Sequence, residues 1–142
     1  MNGATDCDFC AIIRREEPAE IVAETASTLA FFPLRPATLG HTLIVPKEHV
    51  EDLWSLDEPT AEVLASFVLP LAHALRAAFQ PQGLNVIQSN GRAASQTVMH
   101  LHVHLVPRWR DDPIGDIWPE PEPSSQEELR AAARQLRKAL AR

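Results

Sequence analysis

Between residues 98 and 106, Met99, Leu101, Val103 and Leu105 alternate with His100, His102 and His104. A period of two belongs to the β-strand, whose successive side chains point to opposite faces. The pattern predicts a strand over 98–106, ended by Pro107, with one apolar face on a core and three histidines together on the other. Shorter apolar runs at 21–24, 28–32 and 42–45, the last two separated by Pro33, Pro36 and Gly40, read as strands with connections short enough for antiparallel pairing. Residues 84–88 add a further strand, closed by the turn Ser89, Asn90, Gly91. Helical spacing begins after Ser55 and Asp57, both capping candidates, where Val63, Leu64, Phe67, Val68, Leu71 and Leu75 recur. Pro70 within that run predicts a kink or a split helix. A second helix over 126–142 is marked by Ser124 or Ser125, by Glu127 or Glu128 three residues on, and by a stripe of Leu129, Ala133, Leu136 and Leu140. Between Pro107 and that helix, residues 111–125 are rich in Pro, Asp and Glu and read as a loop flanked by two docking candidates, Trp109 and Trp118.

Composition narrows the class. At 142 residues, 45% hydrophobic and 23% charged, the chain suits one compact domain with a core. A net charge of −6 argues against general attraction to nucleic acid or anionic membrane, so an anionic ligand must be held by local geometry. No uninterrupted apolar run approaches the roughly 18 residues that suggest a membrane span, and the first ten residues show no basic start followed by an apolar stretch. The expectation is a cytoplasmic protein with no membrane partner.

Chemistry concentrates on histidine and cysteine. Three histidines in strict alternation on a strand otherwise suited to apolar packing point to a ligand or a reaction. A bare three-histidine metal site is a rival, although no carboxylate lies nearby in sequence to act as fourth ligand or base. His73, alone on the predicted helix, is read as an ordinary polar residue. Cys7 and Cys10 are the only cysteines, too few for a disulfide framework, and their spacing suits a thiolate metal site. Two buried thiols, or a redox pair, remain open at this point.

The run His100-Leu101-His102-Val103-His104-Leu105-Val106 resembles the histidine-triad motif of the HIT superfamily of nucleotide hydrolases and transferases. The similarity extends from Cys7 to about Trp109. It includes the C-x-x-C with Phe31 and Pro36, the segment Gly40-His41-Thr42-Leu43-Ile44-Val45-Pro46-Lys47 with His49, Asn90-Gly91, and Gln96-Thr97-Val98 leading into the triad. The small bacterial Hint-like branch is the most similar. The resemblance implies an α+β domain over 1–110, a five-stranded antiparallel sheet with a main helix, followed here by the 111–125 loop and the C-terminal helix, and usually a homodimer. It implies an enzyme acting at the α-phosphorus of a nucleotide such as a nucleoside phosphoramidate or a dinucleoside polyphosphate. His102 would be the nucleophile forming a nucleotidyl-histidine, His104 a donor to phosphate oxygens or leaving group, and His41 an orienting residue. Ser89, Gln96 and Thr97 would bind the substrate, Thr97 with adjacent backbone N–H groups acting on the phosphate oxygens. The resemblance also implies a structural zinc on Cys7, Cys10, His49 and His100, a closed Cys₂His₂ set.

The pattern departs from the family near the substrate. Pro33 stands where Hint-like proteins usually place an Asp on the ribose hydroxyls, and proline has no side-chain polar group. Ser89 occupies the place of an Asn or Gln, and Ser95 that of a glycine. Reaction class therefore carries over better than substrate identity. A slowly catalytic or non-catalytic nucleotide-binding regulatory module of the same fold is the alternative.

Overall fold

The computed structural model describes residues 6–142, so residues 1–5, which the sequence reading includes in the first domain, lie outside it. Five strands form one antiparallel sheet: β1 (Ile21–Glu24), β2 (Thr28–Phe31), β3 (Thr42–Pro46), β4 (Gly83–Gln88) and β5 (Val103–Arg108), in the order β1-β2-β3-β5-β4. Alternation sorts their side chains onto two faces. Ala30, Ile44, Leu101, Val103 and Leu105 pack with Leu64, Leu71 and Leu75 of helix α2 (Glu58–Phe79). Leu29, Phe31, Leu43 and Val45 pack on the other face with Phe9 of helix α1 (Asp8–Ile13) and with Cys7 and Cys10. His104 pairs with Leu43 across β3 and β5, which places the histidine side of β5 toward α1 and the leucine side toward α2.

The expected α+β architecture is present, with corrections in detail. Regular pairing of the last strand begins at Val103, so residues 98–102 are not strand as expected. Their backbone groups are used locally instead: Leu101 N–H donates to the Val50 carbonyl, and the His100 carbonyl accepts from a side chain. The helix α2 is not split at Pro70. Pro70 and Ser66, whose carbonyl loses its partner, are both exposed, so the unpaired carbonyl is not shut away from solvent. Asp57 caps that helix through Thr60 N–H. The 22-residue α2 contains an 18-residue window of mean hydropathy 1.4, long and apolar enough to cross a membrane by length and composition, although Glu62, His73 and Arg76 interrupt its apolar run. Its inward residues nevertheless fill the core beneath the sheet.

The sequence reading also missed α1, six residues capped by a thiol, Cys7 Sγ, which accepts from Cys10 N–H. Residues 111–125 contain no helix or strand, but their first turn is pinned: Arg108 donates to both oxygens of Asp112 and to the Gly115 carbonyl. Trp109 is half-buried there, whereas Trp118 is 84% exposed and does not dock. A helix α3 (Gln126–Leu140) follows, opened by a capping box between Ser125 and Glu128.

One glycine controls the approach to the site. Gly40 has φ +84°, and a Cβ there would sit 2.8 Å from the Phe79 ring at the end of α2. Left-handed strain and overpacking together predict that Gly40→Ala destabilises the protein by about 3 kcal/mol. Chemical denaturation at fixed protein concentration reads this directly, and an unchanged midpoint would refute the role given to Gly40.

Candidate active site

Two clusters of side chains share the α1 face of the sheet. The first gathers Cys7 and Cys10 from the start of α1, His49 from the loop after β3, and His100 from the segment before β5. His100 is fully buried, and its Nε2–H donates to the Pro46 carbonyl at 2.8 Å. That bond leaves Nδ1 as a lone pair, 3.4 Å from each cysteine sulfur and 3.2 Å from His49 Nδ1. Cys10 Sγ lies 3.3 Å from His49 Nδ1. A tetrahedron with Zn–N and Zn–S bonds of about 2.0–2.3 Å has edges of about 3.3–3.8 Å, so the four donor atoms match a zinc-sized hole. Without a cation, burial, and then the hydrogen bond and charge of Cys7, push the Cys10 thiol up to about 11. A divalent ion reverses this balance by stabilising thiolates. The donor set fits zinc, and its four filled positions leave none for substrate, as in a structural site.

The second cluster is built from His41, His102 and His104. His102 Nδ1–H donates to the His100 carbonyl at 2.8 Å, which leaves Nε2 as the free lone pair. Ala37 N–H donates to His41 Nδ1 at 3.0 Å, so the proton of neutral His41 is on Nε2, which faces His104 Nδ1 at 2.9 Å. His104 Nδ1 therefore accepts, and its own proton is on Nε2. The rings of His102 and His104 are 4.9 Å apart between centroids. One nucleophilic nitrogen and one N–H donor result, each assigned by a hydrogen bond at the other end of its ring.

Burial keeps all three neutral. Desolvation lowers the pKa of His102 below 6.5 against the opposing hydrogen bond to His100. Desolvation, followed by the charge of His102, also lowers His41. His104 falls to about 4 through burial and then the charges of His102 and His41. Since the unfolded chain takes up these protons first, acidification from pH 6.5 toward 4 destabilises the fold.

The residues expected to bind the substrate divide. Gln96 is 2% exposed and both ends of its amide are engaged: the oxygen accepts from Gly91 N–H, and the nitrogen donates to the Glu51 and Val98 carbonyls. Those bonds brace the loop before the triad. Thr97 is exposed and lines a cavity of about 440 Å³ with Asp6, Cys7, Asp8 and His49, on the cysteine side. Ser89 is half-buried at the end of β4. Ser95 sits at φ +70°, the left-handed region where glycine is unstrained, and Pro33 is half-buried in the loop that leads to His41. The sequence reading missed Phe9, whose ring stands edge-on to His102 at 5.1 Å and to His100 at 6.0 Å. It also missed two backbone groups, the Pro46 carbonyl and Ala37 N–H, which no residue-type pattern reveals.

These features define a histidine-triad protein with an attached Cys₂His₂ cluster. The sequence model of the HIT domain matches residues 14–111, and the chain belongs to this family. An adenosine 5'-monophosphoramidase from Schizosaccharomyces pombe is 38% identical over 132 residues, covering 92% of this chain and 95% of that protein. The crystal structure of a HIT-family member from Bacillus subtilis superposes with a TM-score of 0.87 at 34% identity, over 94% of this chain and 96% of that one. A zinc-bound histidine-triad family protein from Mycobacterium smegmatis gives a TM-score of 0.74 at 36% identity, covering 96% of this chain and 99% of that one.

The convergent donors predict close to one equivalent of zinc in freshly purified protein and loss of that equivalent in Cys7→Ala or His49→Ala. Metal analysis reads the outcome, and zinc-free wild-type protein or zinc-replete variants would refute the cluster's assignment.

Proposed function

We propose that this chain is a nucleotide hydrolase or nucleotidyl transferase acting at the α-phosphorus of a nucleoside phosphoramidate or dinucleoside polyphosphate. The observation that carries the reading is the bond from His102 Nδ1–H to the His100 carbonyl, which holds Nε2 unprotonated. In the first step Nε2 of His102 bonds to phosphorus and the P–N or P–O bond to the leaving group breaks. In the second, the oxygen of water or another acceptor bonds to phosphorus and the Nε2–P bond breaks. Splitting the displacement in this way lets one site hydrolyse or transfer. His104 Nε2–H is aimed as a hydrogen-bond donor to the phosphate oxygens or leaving atom, where a fixed dipole in a water-poor site stabilises developing charge. Ser89 and Thr97 are the remaining phosphate-contact candidates.

Zinc on Cys7, Cys10, His49 and His100 would cross-link α1 to the triad segment and supply structural rigidity rather than chemistry. A cytoplasmic, reducing setting suits two thiols held for metal. We also assign the outer side of α2 and the edge strand β4 to a homodimer: Leu69 of α2 is 63% exposed, and Val86 of the edge strand is 55% exposed. A slowly catalytic or non-catalytic nucleotide-binding module is the second reading, favoured by Pro33, which has no polar side-chain group.

His102→Ala or His102→Asn is expected to lower turnover roughly a thousandfold or more while the fold persists. Acid-quenched wild-type protein is expected to carry nucleotide covalently on His102. Turnover in the variant would refute the mechanism, and absence of both turnover and trapped adduct across a substrate panel would favour the binding module.

The pH profile gives an independent check. Because the folded His102 titrates below 6.5, more than half of it is neutral at pH 6.5, and kcat/KM at that pH is expected to exceed half its plateau. An acid limb with its midpoint above 6.5 would contradict the burial argument.

A further inference from the structure

Cys7 and Cys10 belong to one turn of chain. Cys7 caps α1: its Sγ accepts from Cys10 N–H at 3.4 Å, and its carbonyl accepts from Ala11 N–H. In a helical turn, Cα atoms three residues apart are separated by about 5 Å, inside the range that a disulfide spans. The two sulfurs lie within 4.8 Å of each other, and each is 3.4 Å from His100 Nδ1. Side-chain rotation can therefore join them. Spacing left metal ligation and redox chemistry as alternatives, and the geometry admits both, one after the other.

The pair is buried but not sealed. Cys7 is 8% and Cys10 5% exposed, and Cys7 lines the cavity of about 440 Å³ on that side. The exposed carboxylates of Asp6, Asp8 and Glu51 stand around the same cavity. Like charge disfavours an anionic oxidant such as glutathione disulfide there. Hydrogen peroxide is small and neutral and meets no such barrier.

We propose that Cys7 and Cys10 form a reversible thiol–disulfide modification site whose oxidant is hydrogen peroxide. The Cys7 thiolate attacks one peroxide oxygen, the O–O bond breaks and hydroxide leaves, giving a sulfenic acid. The Cys10 thiolate then attacks the Cys7 sulfur, the S–S bond forms and a second hydroxide leaves. Two electrons pass from the sulfurs to the peroxide, and two protons from solvent convert both hydroxides to water. Thiolates ligate metal, so oxidation removes two of the cluster's four donors and releases its zinc. A thiol reverses the step by exchange. The proposal rests on the assignment of the cluster to zinc and not on the reaction assigned to His102.

The segment before β5 reports the change. Once the cluster is broken, the His100 ring is held by its Nε2–H bond to the Pro46 carbonyl. Next to it, Leu101 N–H donates to the carbonyl of Val50, which itself follows His49. Both ends of that bond thus adjoin ligands of the cluster, and oxidation loosens it.

Peroxide treatment of zinc-loaded wild-type protein, followed by intact mass, a chromophoric zinc chelator and hydrogen exchange, tests this. The expected result is a chain lighter by two hydrogens, release of close to one equivalent of zinc, and exchange at the Leu101 amide faster by at least about tenfold. Exchange in β2 and β3 should not change, which verifies that the oxidised protein is folded. Dithiothreitol with added zinc is expected to restore all three readings. In Cys10→Ser the reaction is expected to stop at a sulfenic acid on Cys7 that dimedone traps. Retention of zinc and both thiols under peroxide would overturn the proposal, as would oxygen added to cysteine or Met99 in place of a disulfide, or zinc binding that dithiothreitol does not restore. Wild-type protein purified without zinc removes the cluster's assignment and this modification together, whereas zinc-replete protein that resists peroxide removes the modification alone.

Discussion

The hydrogen bond from His102 Nδ1–H to the His100 carbonyl joins the two halves of the site. It spans two residues, and it forms where the chain does not pair regularly with its neighbours before entering β5. Were residues 98–102 drawn into the sheet, the His100 carbonyl would be a candidate for ladder pairing and His102 would be free to adopt either tautomer. The same residue, His100, points its ring at the cysteine pair while its carbonyl holds the His102 ring. Any ion bound by the cluster would thus stiffen the backbone that sets His102.

Electrostatics follow from that geometry. An acidic protein that handles phosphate without a basic surface needs donors that do not depend on net charge. Buried neutral imidazoles meet this need, because desolvation suppresses protonation and the hydrogen bonds determine which nitrogen donates. Ala37 N–H acts on His41, His41 on His104, and the His100 carbonyl on His102. Phe9 closes the arrangement from α1, so the short N-terminal helix serves both clusters.

Much of the architecture was legible from pattern. The strands at 21–24, 42–45 and 84–88 lie within one residue of the observed ends, because alternating apolar residues between turn formers admit few other structures. The sidedness of the triad segment was also legible, since alternation fixes faces whether or not a strand is regularly paired. Pairing itself was not, because it depends on β3 and β4 meeting β5 only from Val103 onward. Gln96 illustrates a similar limit at the site. Its polar side chain suited a substrate contact, and the fold buries it with both ends of the amide bonded to Gly91, Glu51 and Val98.

Residue type and order thus establish which groups are available: imidazoles on one side of a strand-like segment, two thiols three residues apart, and a separate amphipathic helix. These are local properties, written in spacing of two, three and four residues, and they survive without knowledge of any distant contact. Which nitrogen of each histidine carries its proton, which four donors converge within bonding distance of one point, and that α3 buries no residue among the described ones depend on groups far apart in the chain. Such facts arise when Pro46 is brought to His100, Ala37 to His41 and Cys7 to His100, and only packing in three dimensions brings them there.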